Sequence, residues 1–140
     1  MKPTTTVLSG KNIKRNWHLV DVSQDNLGRV ATIIAQLLVG KNKDVFSYHL
    51  DQGDYVVAIN TDLIKTTGRK LKQKIYYFHS AFAGNMKEFT LAQMLKKDSR
   101  EVLYHAVLGM LPKNRLRDIR MTRLKSFVDS NHIYQDKLTK

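Results

Sequence analysis

Residues 113–125, KNRLRDIRMTRLK, set Lys113, Arg115, Arg117, Arg120, Arg123 and Lys125 against one acid, Asp118. Arginine forks paired hydrogen bonds onto phosphate oxygens, and lysine adds a mobile point charge. Six bases at this density are therefore a phosphate-binding chemistry before they are anything else. Such contacts hold a polyanion by its backbone, so selectivity must come from the shape of a folded partner.

The other reactive side chains form no comparable constellation. His18, His49, His79, His105 and His132 are scattered, and none stands at H-E-x-x-H spacing. His49 with Asp51 and Asp54 reads as ordinary turn material before a strand. No G-x-S-x-G elbow supports Ser-His-Asp chemistry. The turn Ser23-Gln24-Asp25-Asn26-Leu27-Gly28-Arg29 has one glycine, too few for G-x-G-x-x-G, and G-x-x-x-x-G-K-[ST] is absent from the chain. With no cysteine, thiolate metal sites, disulfides and cysteine nucleophiles are excluded, and the redox compartment stays open. The expectation is a protein with no enzymatic activity, no metal and no cofactor.

The net charge of +12 in 140 residues is unevenly laid out. Residues 1–20 carry +4, residues 21–62 carry −3, residues 63–87 carry +6 with no acid, and residues 113–125 carry +5; residues 88–112 and 126–140 are neutral. Three basic blocks separated by more apolar segments describe a footprint rather than general solubility. Nucleic acid is the expected partner. Apolar runs are far shorter than the roughly 20 residues that span a bilayer, and the N-terminus has no signal-like stretch, so no membrane partner is expected.

The elements that must position these bases follow from periodicity. A length of 140 residues with 42% hydrophobic content suits one core. Residues 1–16 read as a basic arm, 17–128 as a single α/β domain, and 129–140 as a C-terminal tail. Residues 17–22 predict a strand. Leu27, Val30, Ala31, Ile34, Leu37 and Leu38 share one helical face, with Asp25 or Asn26 as cap and Gly40 as stop. Lys41 and Lys43 then lie at the end of the helix that favours cations.

Residues 55–60 are apolar without alternation, which predicts a strand covered on both faces and a parallel sheet. Thr66-Thr67-Gly68 is a turn that leads into Arg69, Lys70, Lys72 and Lys74, then into strand-like residues 75–79. Tyr76, Tyr77 and Trp17 have two readings, packing in the core or stacking on an unpaired base. Thr90 to Gln93 and Asp98 to Glu101 have capping-box spacing before two helices, the second stopped by Pro112. Leu116 and Ile119 predict a further short helix with Arg115, Arg117, Arg120 and Arg123 around its outer surface. Residues 124–128 fit either its continuation or an extended path.

At Val107-Leu108-Gly109-Met110-Leu111-Pro112-Lys113 the chain closely resembles the signature of the large-subunit ribosomal protein thirteen family, bacterial-type branch. Further agreement comes from Arg15-Asn16-Trp17 with Val20-Asp21, Leu27-Gly28-Arg29-Val30-Ala31, Gly53-Asp54-Tyr55-Val56-Val57 with Ile59-Asn60, Thr67-Gly68 with Lys70, Lys74 with Tyr76-Tyr77, and Leu124-Lys125 with Phe127. The likeness spans roughly residues 12–132.

It implies a three-layer α/β/α domain with a small, mainly parallel central sheet and basic extensions. It also implies binding to large-subunit ribosomal RNA, a role early in subunit assembly, and neighbouring ribosomal proteins as partners. Arg15, Arg29, Lys70, Lys74 and Lys113 become expected RNA contacts, with Gly109, Met110 and Pro112 as a structural motif. The whole expected RNA-binding set adds Lys14, Lys41, Lys43, Arg69, Lys72, Arg115, Arg117, Arg120, Arg123 and Lys125. Arg117-Asp118 departs from the family's usual glycine-arginine step. The expected setting is the cytoplasmic ribosome, with an organellar ribosome left open and no homo-oligomer. The other functional reading is regulatory binding to a structured RNA outside the ribosome.

Overall fold

The computed structural model describes residues 13–44 and 46–138. Most of the expected N-terminal arm, residues 1–12, and the last two tail residues, 139–140, lie outside the described residues.

Three strands form one parallel sheet in the order β1 (Trp17–Asp21), β2 (Tyr55–Ile59), β5 (Leu124–Ser126). Parallel neighbours need long crossovers. The first crossover is α1 (Leu27–Val39), and the second contains every element between β2 and β5. β2 is central, and Val56, Val57 and Ala58 are all buried. The unalternating run thus reflects cover on both faces, as the sequence predicts.

The residues of α1 explain its place. Val30, Ala31, Ile34, Ala35, Leu37 and Leu38 are buried against Val56 and Ala58, with Leu103 and Val107 of α4 (Ser99–Met110) behind them. Asn26 holds the N-cap position but makes no side-chain cap bond. Gly40 ends the helix at φ +83°, where its N–H reaches the Gln36 and Leu37 carbonyls. α5 (Leu116–Met121) adds Met121 to the same core.

The opposite face of the sheet has a thinner cover. Trp17 stacks on Tyr55 at 4.4 Å and on Tyr134 at 5.1 Å between ring centroids, and Tyr134 meets Phe127 edge-on. The last short helix, α6 (Gln135–Leu138), brings the Lys137 ammonium over the Trp17 ring. Trp17 therefore packs within the fold, and the described residues after 128 return to cover β1 rather than trailing away.

A second body of structure is added to this frame. β3 (Ile75–His79) pairs antiparallel with β4 (Met86–Thr90), which runs straight into α3 (Leu91–Lys97). Thr90 and Gln93 form the expected capping box: the Thr90 hydroxyl accepts from the Gln93 N–H, and the Gln93 amide oxygen accepts from the Thr90 N–H. At the second expected box, Asp98 caps α4 by accepting from the Arg100 N–H. Leu91, Met94 and Val102 form a small apolar cluster here, against Tyr76, Phe78 and Phe89. Leu27 touches both this cluster and the main core.

Candidate nucleic-acid interface

The first basic segment is built as a short excursion from the core. After β2, Asn60 adopts a left-handed φ of +60°, a conformation asparagine tolerates, and donates through Nδ2 to Asp21 Oδ1 at 3.1 Å. A 3₁₀ turn (Thr61–Leu63) leads outward, and the Lys65 carbonyl accepts from the Leu27 N–H at 3.0 Å, tying the segment to the start of α1. Gly68 turns the chain at φ +65° into α2 (Lys70–Gln73). The Lys74 carbonyl then accepts from the Leu91 N–H at 2.9 Å, tying the other end to α3. Lys65, Arg69, Lys70, Lys72 and Lys74 are all exposed, and none forms an ion pair with an acid of the described residues. Lys74 lies 5.3 Å from the Tyr76 ring centre, within cation–π range.

Between this segment and the end of α4 is a cavity of about 390 Å³. Lys65, Lys70 and Lys74 line one side, and Gly109 and Met110 line the other. The structure thus brings the signature glycine-methionine pair beside the acid-free lysines, a juxtaposition that sequence spacing could not reveal. Pro112 follows, Leu111 closing α4 with an N–H bond to the Val107 carbonyl, and the chain continues into exposed Lys113 and Arg115.

The second basic segment divides in two. Lys113 and Arg115 are exposed, while Arg117 and Lys125 are half-buried. Arg120 and Arg123 correct the expectation of an outward fan: they are 2% and 5% exposed. Both turn to Asp51. Arg123 makes a two-pronged bond to its carboxylate, and Arg120 Nε stands 3.6 Å from Asp51 Oδ1. Met121 shares the buried side of α5, whereas Ile119 is exposed. The helix is therefore rotated relative to the expected apolar face. Its buried arginines present no surface to an outside phosphate.

Two acids of the loop before β2 organise several further bases. Asp51 also receives Arg15, whose Nη2 donates to the Asp51 carbonyl at 3.1 Å and lies 3.6 Å from its carboxylate. Asp54 accepts from Lys43 Nζ at 2.6 Å and the Asn16 N–H at 3.0 Å, with His18 Nε2 at 3.1 Å. Burial favours the neutral carboxyl most strongly, but the lysine, the amide and the imidazole together outweigh it and hold the Asp54 pKa below its usual value. Lys43 also donates to the Lys14 carbonyl at 2.6 Å. Lys43 is thus an internal clamp rather than an open surface charge. Lys14 and Lys41 are exposed, and Arg29 is exposed beside Asp25 at 3.9 Å, a separation worth little in water.

The aromatic residues separate by strand parity. Tyr76 and Phe78 face His105 of α4 and are partly buried, whereas Tyr77 is 57% exposed on the outer face of the hairpin. His132 lies against Phe127, and His49 and His79 are exposed. Among the described residues the one histidine-carboxylate pair, His18 with Asp54, has its carboxylate already occupied by Lys43 and Asn16. Among the described residues no cluster of three His, Cys, Asp or Glu could hold a metal, and no helix is long and apolar enough to cross a membrane.

Comparison with known proteins identifies the family. The family model for ribosomal protein L13 matches residues 15–133. The chain is 46% identical over 123 residues to the large ribosomal subunit protein uL13 of Clostridioides difficile, covering 88% of this chain and 86% of the relative. It is 43% identical over 131 residues to the uL13 protein of Thermotoga maritima, covering 94% and 88% of the two chains. For the Agathobacter rectalis uL13 protein the identity is 45% over 128 residues, with 91% and 90% covered. With the matched region running from the Arg15 anchor through the parallel sheet, the Gly109-Met110 cavity wall and β5 to the aromatic cover, the chain belongs to the ribosomal protein L13 family.

Proposed function

We propose that this chain is a structural constituent of the large ribosomal subunit that binds large-subunit ribosomal RNA by phosphate and shape recognition, and that it joins early in subunit assembly. The observation that carries the reading is the exposed set Lys65, Arg69, Lys70, Lys72 and Lys74, without an ion pair to any acid among the described residues and anchored at both ends by backbone bonds beside the end of α4. A cationic surface without internal counter-ions gains most from a partner that supplies phosphates. Lys14, Arg29, Lys41, Lys113 and Arg115 extend the proposed contact surface, and Arg117 and Lys125 contribute their exposed portions. Arg15 and Lys43 set the path of the lead-in through Asp51 and Asp54. Neighbouring large-subunit proteins are its proposed protein partners, and the cytoplasmic ribosome its proposed location.

The test is cofractionation with large subunits through a high-salt wash, paired with binding to large-subunit ribosomal RNA at varied salt. If about six phosphates are neutralised, raising monovalent salt from 50 to 200 mM weakens binding about a thousandfold. Retention on washed subunits is expected. Association only with a smaller messenger complex, absent from assembled subunits, would assign the chain to regulatory RNA binding instead.

A further inference from the structure

Phosphate is met by exposed cationic tips and has no use for an apolar recess. The cavity beside Lys70 and Lys74 is such a recess, with Leu27, Leu91, Ala106 and Met110 in its walls. Its volume of about 390 Å³ falls within the roughly 300–1,000 Å³ of sites that take small ligands. No acid lines it, and the three lysines beside it are exposed. A largely apolar lining whose only charged neighbours among the described residues are three lysines suits a weakly polar group that carries its own negative charge.

Two glycines stand at the rim of the recess. Gly28 and Gly109 both line it, and a Cβ built on either would meet nothing within 4 Å. A side chain at either position therefore adds bulk at the rim without displacing any neighbour. Met110 lies at the wall with its sulfur 3.4 Å from the Thr32 hydroxyl, whose proton goes to the Gly28 carbonyl at 2.9 Å, and it presents a polarisable thioether suited to an aromatic face. The recess also sits where the two apolar clusters meet through Leu27, so its walls come from α1, the Lys65–Lys74 segment, α3 and α4 together.

Resting on the RNA-binding reading above, we infer that this recess receives a single nucleotide turned out of the RNA stack. Its base lies against Leu27, Ala106 and Met110, and its phosphate lies between Lys70 and Lys74. An unpaired base presents an apolar face and a charged linkage in one unit, which is how single-stranded positions in folded RNA are read. A protein side chain entering the same recess would have to be apolar and flanked by acids, and docking of such a protein is the competing outcome.

The experiment uses the full chain with large-subunit ribosomal RNA carrying 4-thiouridine and 6-thioguanosine. Photo-crosslinks from bases to the peptides holding Leu27 and Met110 are expected. Gly109→Leu, which sets a bulky side chain at the rim of the recess, should weaken binding roughly tenfold while leaving the slope of log affinity against log salt nearly unchanged, because the base is displaced while the chain's phosphates can stay on the exposed lysines. Crosslinks elsewhere but none to these peptides would overturn the inference. So would unchanged RNA affinity of Gly109→Leu, including the case where that variant instead blocks docking of a neighbouring protein. Failure of the unaltered chain to bind the RNA at all would remove the underlying RNA-binding reading, a distinct result.

Discussion

Arg123 holds Asp51 with both terminal nitrogens, Nη1 to Oδ2 at 2.5 Å and Nη2 to Oδ1 at 2.6 Å, while Arg120 stands behind the same carboxylate. One acid thus offsets two buried guanidinium groups. Removing it leaves charge in the interior without a partner, a change that costs about 3–5 kcal/mol where a buried pair is broken. Asp51→Asn is expected to lower stability by that order in urea unfolding at neutral pH. Arg115→Gln, on the surface, should stay within about 0.5 kcal/mol. Equal losses for the two would refute the assignment of Arg120 and Arg123 to the interior.

The loop that carries Asp51 is strapped to the end of α1, and Gly53 shows how closely. A Cβ at Gly53 would lie 1.7 Å from the Leu38 carbonyl oxygen, so any side chain forces backbone apart from backbone. Gly53→Ala is expected to destabilise by about 3 kcal/mol, at the upper end of overpacking costs. Gly109→Ala is the contrast: its Cβ meets nothing, and it replaces a glycine inside α4, so a gain of up to about 1 kcal/mol is expected. Thermal melts of the two variants should move in opposite directions.

Asp54 gives the acid limb of stability a named contributor. Its folded pKa is depressed: burial, the largest influence, raises it, but Lys43, Asn16 and His18 together pull it down further. A depressed carboxyl stabilises the fold fully above its unfolded value near 3.9, and that contribution is lost as pH falls through the folded value. Urea midpoints measured from pH 7 to pH 3 should show the unaltered chain well ahead of Asp54→Asn above about pH 5, with the gap closing as the solution becomes more acid. A gap that stays constant across the range would rule this out.

What could be read in the chain was local. The α1 stripe and its Gly40 stop, the covered run of β2, the Thr90 capping box and the Pro112 stop each depend on residues a few positions apart, and each is found where periodicity puts it. Arg120 and Arg123 were misleading because the acid that draws them inward lies some 70 residues earlier, and Leu116 with Ile119 offered an equally good apolar pair. β4 has no strand pattern of its own: Met86–Thr90 carries three polar residues in five and is a strand through its pairing with β3. Residues 124–126 left helix and strand open until β2 supplied a parallel neighbour. The cavity had no signature at all, since its lining comes from four separated segments.

The division of the bases into open and committed sets should be measurable in binding. Each lysine that neutralises a phosphate contributes about one to the slope of log affinity against log salt. Lys70→Gln with Lys74→Gln is therefore expected to reduce the slope by about 2, and Lys113→Gln with Arg115→Gln by a similar amount, since all four side chains are exposed. Arg120→Met should leave the slope unchanged, because that guanidinium already faces Asp51 inside the fold. Filter binding of each variant to large-subunit ribosomal RNA between 50 and 200 mM salt separates these outcomes. A slope reduced by Arg120→Met and untouched by the lysine pair would place the phosphate contacts on the wrong residues.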